Sequence, residues 1–348
     1  MDSCLCRNDP PILYMIKTYA YIFYLFLLIL TLIPHSPYPS NLYKFHQVAM
    51  GTVIEITLIG GNEEAANKAA LRAFQEMKRI EQLMSPWIES GDVFRINQSA
   101  GKERVKISHE TLEVIKKAQE ISELSDGRFD ITVGPLAELW RKAREKKIPP
   151  FAEEVKEKLG LVNFKNIEID REGKVFLKKK GMAIDLGGIA KGYAVDKAFE
   201  LLKSLGYKNL IVNAGGDLRV GGLKNNQPWS IGIQHPRESK NLLARISVSD
   251  MAVATSGDYE RFFIYEGKRY HHIFNPKDGF PTDDCQSVTV LCKEGMMADA
   301  LATAVFVLGP EKGYALCQKL EGVDCLIMDK EGEIIFSPGL KGRISFGP

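Results

Sequence analysis

Five apolar, strand-like runs follow one another through the second half of the chain, at 210–213, 229–234, 243–248, 269–274 and 287–291. Strands gathered with strands, with helices kept to other stretches, predict an α+β fold rather than a regular parallel βαβ series. The remaining pattern agrees. Residues 45–59 are rich in β-branched side chains and alternate over Val53, Glu55 and Thr57, which predicts a strand or a hairpin arm. Asn62 precedes a helix whose apolar positions Ala65, Ala69, Phe74, Met77, Ile80 and Leu83 recur mostly on one face, with Glu63 and Glu64 in its first turn. Ser108 opens a second helix, and a third spans 189–205 and stops at Gly206. Arg171, Glu172 and Gly173 turn a short hairpin within 167–177. A last helix at 297–308 is closed by Gly309 and Pro310, before terminal strands at 325–328 and 333–336.

At 348 residues the chain has room for one large domain or two closely joined ones. Its 46 basic and 44 acidic residues leave a net charge of +2, so it lacks the concentrated basic excess of a nucleic-acid binder. Residues 18–33 (TYAYIFYLFLLILTLI) carry no charge and end at Pro34. That length fits an uncleaved signal-anchor, a cleaved secretory signal or a buried helix. No small-x-small cleavage pattern and no lipoprotein cysteine follows closely. We take 1–40 as a hydrophobic anchor or signal helix with a Pro-rich linker. The body, 41–348, is then expected on the extracytoplasmic side of an inner membrane. Its cysteines, Cys285, Cys292, Cys317 and Cys325, form no C-x-x-C pair, which argues against a thiolate metal cluster. They read as buried apolar residues, with a disulfide left open.

The templates of P-loop nucleotidases, α/β-hydrolases and zinc proteases are absent. Four polar segments remain. In the first, Asp185, Gly187, Gly188 and Lys191 stand between an apolar strand end and a helix start, where glycines let a ligand approach and the helix dipole favours a phosphate. A capped helix after a tight turn would read the same way. The second, Asn213 to Gly222, joins two strands with four glycines and is either a plain turn or, beside the first, a ligand loop. In the third, Asp299 and Thr303 lie one helical turn apart on an Ala-rich helix and offer the hard oxygen donors that Mg²⁺ prefers. The alternative makes Asp299 an N-cap and bonds Thr303 back along its helix. The fourth places His271 and His272 on opposite faces of a strand, so at most one enters a site; the nearby loop 255–261 adds Arg261, able to pair a phosphate.

These segments, with Met50–Gly51–Thr52 and the stretch DGRFDITVGPL at 126–136, occur in an order that resembles the ApbE-type FAD:protein FMN transferase family over residues 45–348. The resemblance implies mixed and antiparallel sheets flanked by helices, with an FAD cleft between two subdomains. It also implies Mg²⁺-dependent transfer of the FMN moiety of FAD to a threonine hydroxyl of a target protein, releasing AMP. By the same resemblance Met50, Trp87, Arg128, Phe129, Asp130, Asp185, Lys191 and Ile273 contact FAD. Mg²⁺ is held by the Gly188 carbonyl with Asp299 and Thr303, and His272 assists the acceptor hydroxyl, Asp185 being the other candidate base. Many relatives carry Tyr where Trp87 stands, and stacking on a ring survives that exchange. The implied partner is a membrane redox subunit facing the same compartment. The same site with water as acceptor would be an FAD pyrophosphatase, and a site without turnover an exported flavin binder.

Overall fold

The β-branched stretch at 45–59 folds back on itself. Strands β1 (Leu42–Ala49) and β2 (Thr52–Ile59) pair antiparallel, and the two turn residues, Met50 and Gly51, both have positive φ, as a type I′ turn requires. This computed structural model describes residues 41–347. The apolar run at 18–33, and the anchor expected there, lie outside them. Among the described residues no helix is long and apolar enough to cross a membrane.

Helix α1 (Glu63–Met84) begins where the sequence predicts, with the Asn62 side chain accepting from Ala65 N–H at 2.9 Å, and it buries Ala66, Ala69, Ala70, Ala73, Phe74, Met77 and Ile80. Short α2 (Asp92–Gln98) follows. Ser108 caps α3 (His109–Leu124), and Asp92 braces that cap by accepting from Ser108 N–H, Ser108 O–H and Thr111 O–H. Then come α4 (Gly134–Lys146), α5 (Ala152–Leu159), the hairpin β3 (Ile167–Ile169) and β4 (Val175–Leu177), and α6 (Ala190–Ser204).

The second half is mostly sheet, as the five successive runs predict. It contains β5 (Asn209–Ala214), β6 (Asp217–Gly221), β7 (Trp229–Gln234), β8 (Leu242–Val248), β9 (Met251–Gly257), β10 (Phe262–Tyr265), β11 (Lys268–His271) and β12 (Cys285–Cys292). After α7 (Gly295–Leu308) and α8 (Pro310–Lys319) come β13 (Asp324–Asp329), β14 (Ile334–Phe336) and β15 (Ile344–Phe346). The main sheet runs β1-β2-β5-β6-β9-β12-β13-β14, and every neighbouring pair in it is antiparallel.

Two apolar layers cover this sheet. On one face α1, α6 and α7 close the largest cluster, which includes Ile54, Ile56, Met77, Phe199 and Phe306. On the other the small sheet β15-β8-β7 buries Trp229, Ile231 and Ile246 against Val220, Leu291 and Leu326. A third cluster, around Trp140, Phe263 and Phe274, joins α4 and α5 to the β10–β11 hairpin. Strand β11 ends at His271, so the strand expected over 269–274 is shorter and residues 272–274 leave the ladder.

Candidate active site

The glycine-rich loop before α6 is pinned from beneath. The Asn97 amide brackets Ile184, donating to its carbonyl at 3.0 Å and accepting from its N–H at 2.7 Å, and Asp185 N–H donates to Ile131 O at 2.7 Å. These bonds seat Asp185 beside the segment that carries Arg128, Phe129 and Asp130. One Asp185 oxygen accepts from Gly187 N–H at 2.7 Å; burial raises this carboxyl, and the Gly187 bond and the Arg261 charge oppose the rise. Gly188 then passes so close to its neighbours that a Cβ there would lie 3.3 Å from both Thr303 Oγ1 and the Phe129 ring.

Helix α7 meets α6 at the same point. Asp299 is the fifth residue of α7 and accepts from Gly192 N–H at 2.9 Å, so it is no N-cap. The first donors of α7, Gly295 and Met296, are held instead by Asp196 from α6 at 2.8 and 2.9 Å. Nor does Thr303 bond back along its helix: its hydroxyl meets Ser256 Oγ at 3.2 Å. Glycine is obligatory where the helices cross, because a Cβ on Gly192 would lie 2.2 Å from Gly295 O.

The charges form a chain. Lys191 pairs with Asp217, the first residue of β6, which brings the turn at Gly215 and Gly216 beside the first segment. That adjacency is the condition under which the second segment reads as a ligand loop. Burial alone would lower the Lys191 ammonium; Asp217 and Asp299 outweigh it and raise it. Burial, then the Asp217 charge, pushes the Asp299 carboxyl up to about 7. Lys191 thus keeps its charge against a paired carboxylate, and Arg261, exposed and in no ion pair among the described residues, is a further cation open to an incoming phosphate. Its guanidinium nitrogen lies 3.3 Å from where a Cβ on Gly51 would stand, which brings it to the Met50 turn.

The paired histidines part, though not by strand alternation, since β11 ends at His271. His271 is buried, its Nε2 donating to Thr282 O at 2.6 Å and its ring edge-on to Phe306. His272 faces the basic side. Burial, followed by the Arg261, His271 and Lys191 charges, lowers it to about 3, and its buried Nδ1 has no partner.

The other expected FAD contacts divide. Met50 holds the hairpin turn, its N–H donating to Glu81 at 2.8 Å, and Phe129 lies against Gly188. Arg128 donates to the Asn275 side chain at 3.2 Å, and Ile273 is buried. Asp130 accepts from Thr132 N–H, Thr132 O–H and Phe164 N–H, bonds that shape its loop. Trp87 stands apart on the loop after α1, 63 % exposed, with the Arg141 guanidinium 5.1 Å from its ring centre. Asp217, Ser256 and Asn97 were not expected. Asp217 and Ser256 sit inside segments already marked as polar, whereas nothing in the chain announces Asn97, which acts on a backbone 87 residues away.

The donor set suits a hard divalent cation. Among the described residues no three His, Cys, Asp or Glu side chains converge on one metal position, so Asp299 would need the Thr303 hydroxyl, a backbone carbonyl and substrate oxygens beside it.

Residues 50–327 match the ApbE family. A curated FAD:protein FMN transferase of Klebsiella pneumoniae is 33% identical over 309 residues, 88% of this chain and 95% of that protein. One from Treponema pallidum is 32% identical, over 87% and 88% of the two chains. Among solved structures, the ApbE protein of Thermotoga maritima superposes with a TM-score of 0.81 at 37% identity, covering 87% of this chain and 99% of that one. The flavin transferase ApbE of Vibrio cholerae gives 0.77 at 30% identity, over 88% and 100%. With residues 50–327 matching the family and the chain covering nearly the whole length of these relatives, the chain belongs to the ApbE family of flavin transferases.

Proposed function

We propose that this protein transfers the FMN half of FAD to a threonine hydroxyl of a target protein and releases AMP. The hydroxyl oxygen attacks the phosphorus on the riboflavin side. A new P–O bond forms, the bond from that phosphorus to the bridging oxygen breaks, and AMP leaves with the bridging oxygen. The observation that carries this reading is the meeting of α6 and α7, where Gly192 of α6 donates to Asp299 and a Cβ on Gly188, in the loop before α6, would lie 3.3 Å from the Thr303 hydroxyl.

Asp299, Thr303 and the Gly188 carbonyl would hold Mg²⁺, which supplies neutralisation of the diphosphate and of the departing charge. Arg261 gives the chain's own positive charge at the cleft, and the start of α6 adds its dipole. His272 has a free nitrogen to accept the hydroxyl proton, and its low proton affinity rises once an anionic diphosphate offsets the cations around it. Met50 and Phe129 border the cleft as apolar contacts for the flavin, and Trp87 offers an exposed ring for stacking. We also propose that residues 18–33 tether the enzyme to the membrane that carries its acceptor, a redox subunit; fractionation of the full chain against 41–348 tests this.

The decisive measurement mixes the protein with FAD, Mg²⁺ and an acceptor domain and follows acceptor mass and AMP together. A gain of one FMN residue with AMP, both lost on chelation, is expected. AMP with free FMN and no mass gain means hydrolysis, and neither product means a binder. Asp299→Ala should abolish transfer; full Mg²⁺-dependent activity in that variant removes the metal assignment.

A further inference from the structure

Strand β9 reaches the cleft with a hydroxyl on the face that carries α7. Its side chains alternate between the two apolar layers: Ala252 and Ala254 belong to the cluster closed by α1, α6 and α7, and Val253 to the one under the small sheet. Ser256 continues the row of Ala252 and Ala254. Small side chains in that row let α7 lie close to the sheet, and the row ends in a hydroxyl where it meets Thr303. Thr255, on the other face, is engaged elsewhere, its hydroxyl 2.9 Å from Thr289 Oγ1 across the β9–β12 ladder. Ser256 stands opposite Val288, which offers it no polar atom.

The hydroxyls of Ser256 and Thr303 therefore depend on each other. They lie 3.2 Å apart, and neither side chain has another hydrogen-bond partner among the described residues. Both residues are half-buried, at the wall of the cleft rather than in the core. Either oxygen can donate to the other, and which one does decides what Thr303 can hold. A threonine oxygen carries one hydrogen and two lone pairs. To coordinate a cation it must keep a lone pair on the ion and send its hydrogen elsewhere. When Thr303 donates to Ser256, both of its lone pairs are open. When Ser256 donates to Thr303 instead, one lone pair is taken and the Thr303 hydrogen has no acceptor among the described residues.

We propose, on the Mg²⁺ reading of Gly188, Asp299 and Thr303 given above, that Ser256 is a positioning residue of the cation site: it accepts the Thr303 hydrogen and so turns the Thr303 oxygen towards the ion. In this role Ser256 touches neither ion nor substrate. It acts through Thr303, as the hydrogen-bond partners behind metal ligands generally do.

The test follows Mn²⁺, a paramagnetic stand-in for Mg²⁺, by the loss of its free-ion resonance on binding to the full chain, with FAD present and acceptor omitted. Ser256→Ala should weaken Mn²⁺ binding about tenfold, the lower end for removing such a partner. Ser256→Thr, which keeps the hydroxyl, should recover most of that loss. In a Thr303→Val background Ser256→Ala should change nothing further, because the hydroxyl it serves is gone. Flavin fluorescence in chelator gives the metal-free FAD affinity, which should be equal in wild type and Ser256→Ala, as should the melting midpoint. Equal Mn²⁺ affinity in wild type and Ser256→Ala overturns the proposal and leaves the Mg²⁺ reading standing. The same loss in the Thr303→Val background, or a weaker metal-free FAD affinity, means that Ser256 acts on its own and overturns it equally. No Mn²⁺ uptake by the wild type removes the cation site itself, and the role of Ser256 with it.

Discussion

His272 shows how far a side chain's chemistry depends on what surrounds it. Burial and the positive charges of Arg261 and Lys191 hold it near 3, far below the ordinary imidazole value, so it is neutral at every physiological pH before substrate binds. We expect its ring resonances to stay flat from pH 5 to 8 in the ligand-free protein and to begin titrating once FAD is added, because the diphosphate charge reverses the local field. A midpoint near 6.5 without ligand would contradict this. Gly188 makes a complementary point. A methyl group there would lie 3.3 Å from the Thr303 hydroxyl, so Gly188→Ala should fold normally yet lose most of its transfer rate, measured as AMP release at saturating Mg²⁺. The segments of Gly188, Asp299 and Thr303 were legible in the chain as candidates, and the structure brings them together. The pairing of Lys191 with Asp217 was not, since a charge in sequence does not reveal its neutraliser 26 residues on. Nor were the bonds by which the Asp130 carboxylate holds Thr132 and Phe164.

At the scale of elements, α6 and α7 act as one unit. Asp196 of α6 caps α7, Asp299 of α7 accepts from α6, and Gly192 and Gly295 let the backbones touch. Gly192→Ala forces the helices apart and should cost about 1–3 kcal/mol, as overpacking does, seen as a lower melting temperature together with lost activity. Asp196→Ala should cost about 1–2 kcal/mol from the lost cap; Arg219, whose guanidinium it accepts from at 2.9 Å, keeps a second carboxylate, Glu200, at 2.9 Å. Chemical denaturation of both variants measures these directly. Helices with side-chain caps, such as α1 after Asn62 and α3 after Ser108, declared themselves in the sequence. Those starting at or just after proline did not: α4 begins Gly134-Pro135, α5 follows Pro149 and Pro150, and α8 starts at the Pro310 that had seemed only to end α7. Strand β9 was missed because its small residues, MAVATSG, give no alternation; it is covered on both sides and reads as neither face.

For the whole molecule, the α+β reading holds, but the pairing order β6-β9-β12 lies outside what local pattern can show, because it joins strands far apart in the chain. Residues from Asn41 onward form one contact unit, so we expect the polypeptide 41–348 to fold alone and to release AMP from FAD at the full-chain rate; aggregation or a lost far-ultraviolet signal would show otherwise. That unit is stitched across long separations. The bonds that shape the cleft join residues 87 and 107 positions apart, and Asp299 and Thr303 come near the end of the chain. Such contacts form late, after the loops between them have closed. A growing polypeptide that has not yet emerged past α7 has neither the carboxylate nor the hydroxyl that completes the cleft. On the proposed reading it has no means of committing flavin to any hydroxyl before α7 has docked on α6.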